Sequence, residues 1–231
     1  MENLHQEVSR LVHFWFVRKS KSAGNKTEWK SLQCPVITIS RQRGCRGVEL
    51  AKMLANQLKF KILEKNLIDY MVRYIGPRCE LMESLSIEQQ SMLEERKQSF
   101  LTENVRHADE YIEGLFEVLQ TAILQQGIIL TGRGSQFFVP PGQGLRVQFL
   151  CDPEQRLQNL VEFEEMSPEE ALREIETVDQ ERENFLRKYF ADDPRSARHY
   201  DLTINLTATR MNTAIQAIIT AAREQRWSVS K

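Results

Sequence analysis

Three arginines crowd one short, glycine-bearing segment, Ser40-Arg41-Gln42-Arg43-Gly44-Cys45-Arg46-Gly47. Before it stands Val36-Ile37-Thr38-Ile39, a β-branched run with the length and composition of a buried strand. After it Val48, Leu50, Ala51, Leu54, Ala55 and Leu58 recur at helical spacing. A turn that ends a strand and opens a helix presents free backbone N–H groups and the positive end of the helix dipole, which together hold phosphate. Gly44 and Gly47 let the backbone approach closely, and Arg41, Arg43 and Arg46 add three cations. The same residues also suit an ordinary tight strand–helix connection. The segment departs from the phosphate-cradling pattern GxxxxGK[ST], because neither the Lys nor the following hydroxyl is present.

Other side chains invite weaker readings. Arg133 sits between Gly132 and Gly134 at the end of the apolar run Ile128-Ile129-Leu130, as a functional cation or a turn residue. Arg182 lies three residues from Asp179 on one helix face, and a surface ion pair is the plain alternative. Arg187 and Lys188 read as solvated charge. Cys45, in an arginine-rich turn, acquires a lowered thiol pKa if exposed; otherwise it is an inert small residue. His5, His13, His107 and His199 show no metal-ligand spacing.

These residues need a scaffold, and the pattern of the chain supplies one. Phe60 to Leu63 reads as a second strand, Asn66 to Tyr74 as a helix, and Ile87 to Gln126 as mostly helix-forming. Ile112, Leu115, Phe116, Leu119 and Ile123 form an apolar stripe there. Leu145 to Cys151 and Leu202 to Leu206 complete the strands. Asp152-Pro153 and Ser167-Pro168, the latter with Glu170, mark two helix starts, and Thr209 caps a final helix. Strands alternating with helices predict an α/β sandwich around a mostly parallel sheet.

Composition narrows the classes. A chain of 231 residues predicts one large domain, or one with an appendage. A hydrophobic fraction of 41% excludes disorder as the dominant state. With 31 Lys+Arg against 32 Asp+Glu the net charge is −1, which disfavours a generally basic nucleic-acid binder. Cys34, Cys45, Cys79 and Cys151 are widely spaced without a CxxC pair and read as reduced thiols of a cytoplasmic protein. No run approaches a membrane span. Leu11 to Val17 is short and apolar, an N-terminal helix packed on the body or one that lies on a surface or forms a dimer. Ser20 to Ser31 reads as a linker.

Ile37-Thr38-Ile39-Ser40-Arg41-Gln42, with Gly44 and Gly47 ahead of Glu49-Leu50-Ala51, resembles the opening of the cytidylate kinase-like P-loop proteins. The resemblance continues through Leu130-Thr131-Gly132-Arg133-Gly134, Leu145-Arg146-Val147 and Asp152-Pro153-Glu154-Gln155-Arg156. Asp179-x-x-Arg182 and Tyr200-Asp201-Leu202-Thr203-Ile204-Asn205 supply the last blocks. The blocks run in order from about Pro35 to Arg223.

That resemblance implies a three-layer α/β/α P-loop kinase fold over residues 35–227, with a helical acceptor-binding region and a short lid at about 167–199. Residues 1–34 stand outside it as a helical extension and linker. The implied activity is transfer of the ATP γ-phosphoryl group, with Mg²⁺, to CMP or dCMP. Arg43 to Val48, including Cys45, would hold the donor phosphates. Arg46, Arg133 and Arg182 would act on the transferring group. Arg133, Arg41, Glu64, Asp201 and Arg187 would face the acceptor. Against the family pattern, Arg46 replaces a glycine, Val48 a basic residue, Cys45 a serine and Arg43 an aromatic, while Glu64 stands for an aspartate. Arg46 either obstructs a turn that needs positive φ or supplies the cation that Val48 lacks. Two alternatives to the kinase remain: a nucleotide-binding regulator without turnover, and a self-associating module using Phe14-Trp15-Phe16.

Overall fold

A computed structural model describes residues 3–11, 13, 34, 36–75, 85–191, 193 and 196–224. The Ser20 to Ser31 linker and the Phe14-Trp15-Phe16 contact lie outside the described residues.

The apolar run at the start of the main domain forms β1 (Val36–Arg41), and the glycine turn leads into α1 (Gly47–Leu58). There follow β2 (Lys61–Glu64), α2 (Lys65–Tyr70) with a widened π turn at Met71–Ile75, α3 (Ile87–Asn104), α4 (Glu110–Gln125) and β3 (Ile128–Thr131). The second half contains β4 (Leu145–Leu150), α5 (Pro153–Phe163), α6 (Pro168–Tyr189), β5 (Leu202–Asn205) and α7 (Met211–Glu224). The sheet order is β2-β3-β1-β4-β5 and every pairing is parallel. This is the expected three-layer α/β fold of P-loop kinases.

Strand alternation divides the core between two faces. Val36, Leu63, Ile128 and Leu130 pack with Ile112, Phe116 and Leu119 of α4 on one side. Ile37, Ile39, Ile129, Val147 and Phe149 pack with Leu50 and Leu54 of α1 and Ile215 and Ile218 of α7 on the other. Residues 3–11 are helical, and Val8 and Leu11 join the first of these cores. Among the described residues no helix is long and apolar enough to cross a membrane.

Several boundaries differ from the sequence expectation. The segment Ile87 to Gln126 is two helices, because Asp109 accepts a hydrogen bond from Ile112 N–H (3.0 Å) and so starts α4 afresh. The second strand begins one residue late, since Phe60 N–H closes α1 by donating to Ala55 O (2.9 Å). Ser167 and Glu170 form the reciprocal cap of α6. Asp152 occupies the cap position of α5 without a side-chain bond. Thr209 falls short of α7, whose first helical bond is accepted by Arg210 O.

Candidate functional site

The site gathers at the carboxyl ends of β1 and β3, where parallel α/β sheets collect ligands. The turn after β1 is tight. Gly44 has φ 82°, and a Cβ there would stand 2.6 Å from Arg156 O. Arg46 adopts the left-handed conformation at φ 56°, so the turn needs a positive φ and an arginine provides it. Its side chain does not plug the turn: the guanidinium bonds both oxygens of Glu49 (2.8 and 2.9 Å) and lies 3.8 Å above the Phe163 ring.

Carboxylates of α6 and its approach clasp the loop from above. Arg43 N–H donates to Asp179 Oδ1 (3.0 Å), and the Arg43 guanidinium donates to Glu164 (2.5 and 2.6 Å) and Glu174 (3.0 Å). Arg156 Nε donates to Arg43 O (2.7 Å) and its Nη2 to Asp179, while Asn159 Nδ2 donates to Gly44 O (2.8 Å). Arg182 Nη1 reaches Asp179 Oδ1 (3.3 Å) and Arg41 O (3.1 Å). A cavity of about 470 Å³ lies along this loop, lined among others by Arg43, Gly44, Arg46, Gly47, Val48 and Arg182. The Cys45 thiol is buried at 2% exposure, and that burial pushes its pKa up despite the Gly47 N–H directed at it. The exposed, reactive thiol considered from sequence is therefore not what the fold makes.

A smaller cavity of about 160 Å³ adjoins the loop, with Ser40, Arg41, Lys65, Gly132, Arg133 and Arg182 on its wall. Arg133 takes φ 54° beyond β3, and its guanidinium grips Asp69 with both edges, Nε at 2.6 Å. Tyr111 OH donates to the same carboxylate (2.6 Å). Burial raises the Asp69 carboxyl, yet the Arg133 and Tyr111 bonds overcome this and hold it below its ordinary value. Arg133 also lies 4.7 Å from the Phe185 ring. A third cavity, about 600 Å³, shares Arg133 and Phe185 and adds Arg73, Tyr111, Lys188 and Tyr189.

The fold thus brings Arg41, Arg133 and Arg182 together. It does not bring Glu64, Asp201 or Arg187 to the same wall. Glu64 pairs with Lys52 (3.8 Å) and lines a separate hollow beside the N-terminal helix. Asp201 clamps β5 to β4 by accepting from Arg146 N–H (2.9 Å) and its guanidinium (2.7 and 3.1 Å). Arg187 pairs with Glu183 one turn away (2.7 Å), largely in solvent. Sequence reasoning missed Lys65, Asp69 and Phe185. Lys65 was detectable as the first residue after a strand's carboxyl end; the Asp69 and Phe185 contacts span tens of residues and leave no local signal.

Residues 36–208 match the cytidylate kinase-like family. The chain belongs to that family. A solved structure with a similar fold is an uncharacterized protein from Eubacterium ventriosum, at 18% identity and TM-score 0.64, covering 83% of this chain and 99% of that one. Two others are a shikimate kinase from Bacteroides thetaiotaomicron (12% identity, TM-score 0.41, 82% and 97% covered) and a gluconokinase from Sinorhizobium meliloti (10%, 0.45, 81% and 91%). Comparison with curated proteins gives no match. The glycine turn lies inside the matched range, with Val48 in the first turn of α1 and Arg46 in the left-handed conformation.

Proposed function

We propose that the chain transfers the γ-phosphoryl group of ATP to a nucleoside monophosphate, with CMP or dCMP as acceptor. The observation that carries this reading is the small cavity between loop and aromatic pocket, walled by Arg41, Lys65, Arg133 and Arg182. Phosphoryl transfer needs positioning and charge neutralisation more than a covalent catalyst, and converging cations supply both. The turn from Arg43 to Val48 receives the donor phosphates on its amides and the α1 dipole. Arg133, already oriented by Asp69, binds the acceptor phosphate, and Arg182 on α6 reaches the group in transit. The cavity edged by Tyr111, Phe185 and Tyr189 takes the acceptor's nucleoside by stacking.

Among the described residues no cluster of three or more acidic, histidine or cysteine side chains could hold a metal ion, and the loop lacks the usual hydroxyl. In this reading Mg²⁺ enters with the nucleotide. A coupled assay with ATP, Mg²⁺ and each monophosphate in turn tests the proposal. Turnover with CMP or dCMP above all others is the expected outcome; no turnover with any monophosphate refutes it.

A second reading has one specific observation in its favour. Asp179 accepts from the loop amide of Arg43 and from two guanidinium groups, so a carboxylate occupies an anion position. In that reading the protein binds nucleotide as a regulator without turnover. Micromolar ATP or CMP binding in calorimetry, combined with a silent kinase assay, selects it.

A further inference from the structure

The loop lacks its lysine, and Arg46, the obvious substitute, is bonded to Glu49. Five arginines line the loop cavity and the small cavity between them: Arg41, Arg43, Arg46, Arg133 and Arg182. Arg43 pairs with Glu164 and Glu174, Arg133 with Asp69, and Arg182 with Asp179. Arg41 alone of the five has no carboxylate partner among the described residues. Its Nε is buried without a hydrogen-bond partner. Glu181 also contributes to the small cavity's wall, but no ion pair joins it to Arg41.

Arg41 is also the arginine whose path through the protein is cleared by glycines. A Cβ on Gly47 would stand 2.9 Å from Arg41 Cβ, and one on Gly132 would stand 3.0 Å from Arg41 Nη1. Its stem therefore runs against the first residue of α1, and its guanidinium reaches the turn beyond β3. Arg41 belongs to the walls of both the loop cavity and the small cavity. Burial, with the positive Arg182 nearby, draws its pKa down to about 10, against a smaller opposing pull from the more distant Glu64, which forms no ion pair with it.

We infer that Arg41 is the cation that replaces the P-loop lysine, binding the phosphoryl group as it passes from the loop to the acceptor side. The assignment rests on the phosphoryl-transfer reading above and names the group that reading left unassigned. In the step, an acceptor phosphate oxygen bonds the γ-phosphorus while the bond from γ-phosphorus to the β,γ-bridging oxygen breaks. ADP leaves with that electron pair, and Arg41 stays protonated, donating hydrogen bonds to the equatorial oxygens. A half-buried charge with no carboxylate partner and an unbonded, buried Nε lowers stability, so Arg41 is an element the ligand-free fold tolerates for its ligand.

The test uses the full chain and Arg41→Met and Arg41→Lys, with inorganic pyrophosphate as calorimetric probe and thermal unfolding of the ligand-free proteins. Arg41→Met is expected to lower pyrophosphate affinity about tenfold to a hundredfold, the usual worth of charged hydrogen bonds. The same change should raise the ligand-free midpoint by roughly 2–6 °C, because it removes an uncompensated charge. Arg41→Lys should lose less affinity than Arg41→Met. Unchanged pyrophosphate affinity in Arg41→Met, a lowered midpoint, or no pyrophosphate binding by the parent protein each overturns the assignment. A parent protein that turns over no monophosphate, yet loses pyrophosphate binding on Arg41→Met, overturns the kinase reading and leaves Arg41 supported as the phosphate ligand.

Discussion

The loop side and the proposed acceptor side of the site, around Arg133, both hold arginines against carboxylates, but in different media. On the loop side Arg43 meets Glu164 and Glu174, whose side chains are 44% and 37% exposed. On the acceptor side Arg133 and Asp69 are 16% and 18% exposed, bonded along two edges, and buttressed by Tyr111 and Phe185. Water and salt screen the first set, so little free energy opposes the parting of those two pairs, and the firmer hold of α6 on the loop runs through Asp179 to Arg43 N–H and Arg156. The second set is fixed in low-dielectric surroundings, where removing one partner strands the other. The proposed phosphoryl transfer would use that division: a firm grip at Arg133, and a loop cover that parts at its exposed pairs to admit a polyphosphate. Arg41 lies between the two and belongs to neither network.

Breaking the acceptor side should have the largest effect. Asp69→Ala leaves Arg133 and the Tyr111 hydroxyl without their shared acceptor and should cost about 2–4 kcal/mol in urea unfolding. A loss below about 0.5 kcal/mol would mean that this side is as loosely held as the loop. Next comes Arg133→Ala, expected to raise the acceptor's KM by about tenfold or more with a smaller change for ATP; equal changes for both substrates would erase the distinction between the sides. On the loop side, Glu164→Gln combined with Glu174→Gln should change stability by less than about 1 kcal/mol while speeding hydrogen exchange along α6.

Acid sharpens the same contrast. The Arg43 bond holds the Glu164 carboxyl below its ordinary value, against a smaller opposing effect of burial. Its folded pKa is thus depressed, so its contribution is complete above the ordinary carboxylate range and is lost as pH falls through the lower folded value. Below roughly pH 4 the α6 amides should exchange faster, and added salt at neutral pH should produce part of the same change. The smallest effect concerns the thiols. Burial pushes Cys34 up to about 12 and Cys45 up as well, so iodoacetamide at pH 8 should label neither while the protein is folded. Rapid labelling of Cys45 would show that the loop opens without ligand.

The parts of the site that were legible lie within single segments. The strand, turn and helix from Val36 to Leu58 could be read because hydrophobic period and glycines act locally, and Arg41 was already marked as facing the acceptor. Arg133 was visible as the residue ending a buried strand. Arg187 read as solvated charge from the residues and as an acceptor contact only by resemblance; it lies five residues from Arg182 on α6 in different surroundings, Arg182 reaching Arg41 O and Arg187 reaching Glu183. Asp201 could be read as facing substrate or starting a strand. It precedes β5 and anchors it to Arg146, an interaction spanning 55 residues.

Sequence by itself determined the layered sheet, the glycine turn between β1 and α1 and the family, because these follow from the order of apolar periods, glycines and cations along the chain. Tertiary structure alone decided which cations are neutralised. Glu49, Glu164 and Asp69 each claim one arginine, Asp179 claims both Arg156 and Arg182, and Arg41 is left without a carboxylate partner among the described residues. Charge pairing acts over a few ångströms between segments that the fold, not the sequence, makes neighbours.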